Sequence, residues 1–140
     1  MSNHAIFFPI IVHILLVIAL YIVLSTRKNH AVASGNVDES RRGLFDDAWP
    51  ESVIKVNNCI RNQFEIPILF YIIAFMLWAL NAVDAITLIL SWAFVVSRVV
   101  HAFIHTGTNT VPIRRKIFTL GVLILLAMSI LATRALFSIP

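Results

Sequence analysis

Asn58, Arg61, Asn62 and Glu65 fall at i, i+3, i+4 and i+7, and Arg98, His101 and His105 at i, i+3 and i+7. At helical spacing each set forms one stripe along one face. Arg114, Arg115 and Lys116 follow Pro112 after a single residue, Ile113. Guanidinium groups bind carboxylates through two parallel hydrogen bonds, so an excess of arginine over glutamate draws an anionic ligand. A single glutamate among them receives an ammonium group. The mixture suits a zwitterionic, carboxylate-rich ligand. An arginine beside a thiol also favours the thiolate, the form that attacks electrophiles.

Taken singly, each residue has a plainer use. Arginines at a membrane edge snorkel towards headgroups, and Asn or His inside a bundle often only bonds a neighbouring helix. Snorkelling accounts for Arg114, Arg115 and Lys116 but not for Glu65, nor for two histidines one turn apart. A buried ion pair of Glu65 with Arg61 or Arg98 is the structural alternative. A metal site built from His101, His105 and Glu65 has suitable spacing, but the surrounding arginines repel a cation, so no metal is expected. The lone Cys59 excludes an internal disulfide framework and reads as a packing residue.

The elements that position these groups are set by composition. Of 140 residues 59% are hydrophobic and only 13% charged, with a mean hydropathy of +0.89. A soluble domain carries about 25% charged residues, so this is a membrane protein. Each span needs roughly 20 apolar residues, which leaves room for four spans and one modest loop. The hydropathy pattern puts spans at about residues 5–25, 66–82, 85–104 and 113–136, with a polar loop over 27–49. The second helix is expected to begin near Pro50 and run unbroken into its span, with a polar first half. Asp46 and Asp47 precede it, near the positive end of the helix dipole.

All of the 11 lysines and arginines except Arg134 gather on one side of this four-span path. The positive-inside rule therefore places the loop and the 106–112 turn in the cytoplasm and both termini outside. The net charge of +4 is a matter of topology: a nucleic-acid surface needs a solvated domain to display it, so no nucleic-acid partner is expected. The minimal length favours a bacterial inner membrane.

The segments Arg61-Asn62-Gln63-Phe64-Glu65-Ile66-Pro67, Arg98 to Gly107 and Val111-Pro112-Ile113-Arg114-Arg115 together resemble the MAPEG family, the membrane-associated proteins of eicosanoid and glutathione metabolism. Within it the chain is most similar to the microsomal glutathione transferase and prostaglandin E synthase members. The resemblance implies an all-α, integral membrane four-helix bundle that assembles as a homotrimer and binds glutathione as co-substrate between subunits near the cytoplasmic face. It implies glutathione contacts at Arg27, Arg61, Asn62, Glu65, Arg98, His101, His105 and Arg115, and a thiolate-stabilising, catalytic role for Arg114. The implied activity is a glutathione-dependent transferase or peroxidase acting on a lipophilic small molecule that arrives through the membrane lipids. Four positions depart from the family pattern. His105 stands where tyrosine is usual, Arg115 where a small residue is common, Phe118 where a tyrosine often stands, and Asn58 in place of a frequent arginine. Lost hydroxyl donors support the alternative of a non-catalytic binding or structural protein of the same fold.

Overall fold

A computed structural model describes residues 2–138. It is all-helical, with no strand among the described residues: α1 (Phe7–Ala33), α2 (Glu51–Gln63), α3 (Ile66–Ala79), α4 (Ala85–Thr106) and α5 (Val111–Phe137), with 3-10 turns at Asn3–Ile6 and Asp46–Ala48. Four helical stretches are long and apolar enough to cross a membrane: Asn3–Ala33, Glu51–Ala79, Ala85–Thr106 and Val111–Phe137. Phe8, Ile11, Leu15, Ile18 and Ile22 on α1, like Leu123, Leu126 and Ile130 on α5, face outward. An apolar exterior of this extent fits lipid and not water.

Local chemistry sets most helix ends. Pro50 precedes α2, and Pro112 lies in the first turn of α5, where a missing N–H leaves no bond unmade. Asp84 and Thr87 form a reciprocal cap on α4: the Thr87 N–H donates to Asp84 Oδ1 at 2.7 Å and the Asp84 N–H to Thr87 Oγ1 at 2.9 Å.

Two features differ from the sequence expectation. First, α1 continues to Ala33, so the loop opens at Ser34 and not at Arg27. Tertiary contacts hold the extra turns: Arg27 donates to the carbonyls of Ser52 and Thr106, and the Lys28 ammonium sits 4.8 Å from the Trp49 ring centre. Second, the expected unbroken helix from Pro50 onward is two helices, interrupted at Phe64 and Glu65. Pro67 has no N–H to give the Gln63 carbonyl, so the i→i−4 ladder cannot cross this point. The break also lets the halves address different neighbours, since α2 packs on α1 and α4 while α3 packs on α5.

The interior is layered. One apolar cluster contains Ile6, Phe70, Leu77, Phe94, Ile124 and Met128, with the Phe70 and Phe94 rings stacked at 4.7 Å. A second contains Leu20, Leu24, Val53, Val56, Cys59, Ile60 and Ala102. Along α1, α2 and α4 the buried polar residues His13, Gln63 and Arg98 fall between the two. Gly121 lies at the contact of α4 with α5, where a Cβ would meet Ser97 Oγ at 3.4 Å, an ordinary van der Waals distance.

Candidate functional site

The polar residues meet at the end of the bundle that carries the 34–50 loop and the α4–α5 turn. An open cleft of about 440 Å³ is lined by Lys55, Asn58, Arg61, Asn62, Glu65, His105, Asn109 and Arg114, among others. A second, of about 280 Å³, is lined by Asn62, Glu65, His101, Val111, Arg114, Arg115 and Phe118. Asn62, Glu65 and Arg114 belong to both, so the two clefts form one site with these residues at the junction.

The break after α2 shapes this site. Glu65 no longer continues the stripe of Asn58, Arg61 and Asn62 on one helix, yet the turn at Phe64 returns it to the same cleft. It is exposed there, and among the described residues neither Glu65 nor Arg98 forms an ion pair. The alternative of a buried Glu65–arginine bridge within the chain is thereby corrected. Arg98, only 1% exposed, does something else. Its Nη2 donates to the Asn62 carbonyl at 3.2 Å and its Nε to Gln63 Oε1 at 3.3 Å. A break in a helix leaves its last carbonyls without donors, and a cation at that negative end is favourable. Arg98 is the side chain that closes α2.

The α4 stripe of Arg98, His101 and His105 is buried as one face. The two imidazoles meet edge to face with ring centres 5.5 Å apart. Among the described residues neither Nδ1 has a hydrogen-bond partner, and buried Asn62 Oδ1 has none either. No group of three or more His, Cys, Asp or Glu among the described residues is arranged to hold a metal ion, the set His101, His105 and Glu65 included.

The arginines are held differently. Arg114 donates to Asn109 Oδ1; Asn109 itself takes the left-handed backbone conformation at φ 53°, which asparagine tolerates. Arg61 pairs with Asp46 of the loop, which also accepts from Asn57. Arg115 is exposed at the edge of the second cleft. Arg27 lines neither cleft: it joins the start of α2 to the end of α4 through the Ser52 and Thr106 carbonyls, at 2.8 and 3.1 Å. Cys59 is buried among apolar neighbours.

Three residues of the interior, His13, Gln63 and Tyr71, were given no role by the sequence argument. His13 Nε2 lies 3.1 Å from Gln63 Oε1, and His13 Nδ1 lies 2.6 Å from the Tyr71 hydroxyl. The available signal was a lone histidine inside the first apolar run, since polar groups at that depth are costly and need a partner.

Fold and site define a multi-pass helical membrane protein with an arginine-lined polar cleft at one end of the bundle. The family model of the MAPEG family matches residues 6–134 of the 140-residue chain, and the protein belongs to the MAPEG family. At family level that makes it a glutathione-related membrane protein of the transferase or isomerase kind. Searches of curated proteins and of solved structures return no match.

Proposed function

We propose that the protein is a glutathione-dependent membrane transferase or peroxidase acting on lipophilic electrophiles or lipid hydroperoxides. The observation that carries this reading is the junction of the two clefts. Among the described residues buried Asn62 Oδ1 lacks a partner there, and so do the Nδ1 atoms of His101 and His105, which line one cleft each, beside Arg114 and Arg115 with Glu65 in no ion pair. Unpaired buried polar atoms are costly unless a ligand or water completes them. A peptide with two carboxylates, an ammonium group and amide N–H groups supplies donors for Asn62 and Glu65 and anions for the arginines.

Arg114 opens α5, where free backbone N–H groups and the helix dipole add to its charge. It holds the sulfur as thiolate. In conjugation the thiolate forms a bond to an electrophilic carbon and the leaving group takes the displaced electron pair. With a hydroperoxide, sulfur attacks the terminal oxygen, the O–O bond breaks and the alcohol leaves. A second glutathione then converts the sulfenic acid to the disulfide and releases water. Arg61, Asn62 and Glu65 hold the peptide part, with Arg98 behind Asn62; Arg115 and the two histidines complete the wall, and Arg27 braces the helices that carry it.

In this reading a homotrimer supplies the missing wall, because both clefts open to the outside of a single bundle. The charged end faces the cytoplasm of a bacterial inner membrane, both termini lie on the other side, and the lipophilic substrate enters from the lipid. The second reading, a non-catalytic binding or structural protein of the same fold, is favoured by the bond that Arg114 already makes to Asn109, beside the lost hydroxyl donors. Calorimetric titration of glutathione into the detergent-purified protein, followed by conjugation to a generic electrophile, separates the outcomes. Binding with turnover supports the enzyme, binding without turnover supports the second reading, and no binding rejects the enzyme and leaves only the structural form of the second reading.

A further inference from the structure

We propose that Gln63 is a positioning residue of the cleft, acting through Arg98 and Asn62, and that His13 and Tyr71 hold it in place. For its ligand the inference rests on the glutathione reading; its geometry does not.

The direction of each hydrogen bond follows from which groups are able to donate. Arginine has no acceptor, so the side chain of Gln63 must present its oxygen, not its nitrogen, to Arg98 Nε at 3.3 Å. Its nitrogen is then free to donate to the Cys59 carbonyl at 3.3 Å. The same oxygen faces His13 Nε2 at 3.1 Å, so His13 donates from Nε2. In a neutral imidazole, with the other nitrogen donating, Nδ1 is the acceptor and the Tyr71 hydroxyl, 2.6 Å away, its donor. Donation thus runs from Tyr71 to His13 to Gln63, and Arg98 donates both to Gln63 and to the Asn62 carbonyl.

His13, Gln63 and Arg98 are at most 1% exposed and lie between two apolar clusters, where water does not replace a lost partner. Arg98 has no carboxylate against it, so its direction is set by the Gln63 oxygen and the end of α2. Fixing Arg98 on the Asn62 carbonyl fixes the residue whose side-chain oxygen is unpartnered at the junction of the clefts. Gln63 lines neither cleft, yet the residue next to it in sequence is placed by the guanidinium it orients.

The test uses the purified protein and the variants Gln63→Met and Tyr71→Phe. Glutathione affinity is read by calorimetry, and the His13 ring nitrogens and Arg98 Nε by nitrogen NMR. The parent is expected to show His13 as the Nε2–H tautomer. Gln63→Met is expected to weaken glutathione binding by about tenfold and to shift the Arg98 Nε signal. Tyr71→Phe, which leaves packing intact, removes the donor to Nδ1, so it keeps the Nε2–H tautomer, shifts the His13 Nδ1 signal and weakens binding in the same direction; it carries the test if Gln63→Met does not fold. A parent with the Nδ1–H tautomer, or a folded Gln63→Met protein with parental affinity and Arg98 signal, overturns the inference. If the parent binds no glutathione, the functional reading falls, and the tautomer and the Arg98 signal decide the inference alone.

Discussion

Arg98 on α4 donates to the backbone carbonyl of Asn62 on α2 at 3.2 Å, so the side chain of one span terminates the helix of another. The interruption of the second span and the burial of a cation are one arrangement: the broken helix end accepts the charge, and the charge satisfies the broken end.

Replacing Arg98 with methionine removes donors from the Asn62 carbonyl and Gln63 Oε1. Gln63 Oε1 keeps His13 Nε2–H, but a buried carbonyl left unpaired costs about 1–3 kcal/mol, so Arg98→Met should unfold at a lower denaturing-detergent fraction than the parent. An unchanged midpoint would show that α2 ends independently of α4.

Arg114→Met removes the charge proposed to stabilise the sulfur. Loss of one such preorganised group lowers turnover by about 10²-fold, while glutathione affinity falls much less because Arg61, Asn62 and Glu65 remain. Steady-state kinetics and the ultraviolet absorbance of the bound thiolate check this. Equal losses in binding and turnover would assign Arg114 to binding alone.

Cysteines at Ser34 and Thr108 are expected to react with a membrane-impermeant reagent from the same, cytoplasmic face. Ser34 lies at the opening of the loop and Thr108 in the α4–α5 turn, and Cys59 is buried, so the parent stays silent. Labelling from opposite faces would break the orientation drawn from the charge asymmetry.

The Thr87 N–H bonded to Asp84 at the start of α4 holds the Asp84 carboxyl below its ordinary value. A carboxylate whose pKa is lower folded than unfolded contributes stability that is complete above the unfolded value and is lost as pH falls through the folded one. Asp84→Asn keeps an oxygen for the cap but does not titrate. Parent and variant should therefore differ at neutral pH and converge on acidification below the carboxylate range, as read from thermal unfolding across pH. A difference that persists in strong acid would place the effect elsewhere.

Much of this architecture was legible without a structure because its causes are local. Each span is a run of apolar side chains, α2 and α5 begin at Pro50 and Pro112, and Arg98, His101 and His105 share a face because a helix repeats every 3.6 residues. These signals act within two turns of chain. Even the cleft was foreshadowed, since the polar stripes of α2 and α4 and the start of α5 lie at one level of the bundle.

What each polar group touches was decided by tertiary structure. Gln63 and His13 are 50 residues apart in sequence, and neither residue type nor spacing pairs them. Arg27 braces Ser52 and Thr106, Arg61 takes Asp46, and Arg98 takes a carbonyl in place of Glu65. In an apolar interior each donor must find an acceptor, but which one lies within reach is set by how the helices pack, and packing distances are not written in the local pattern.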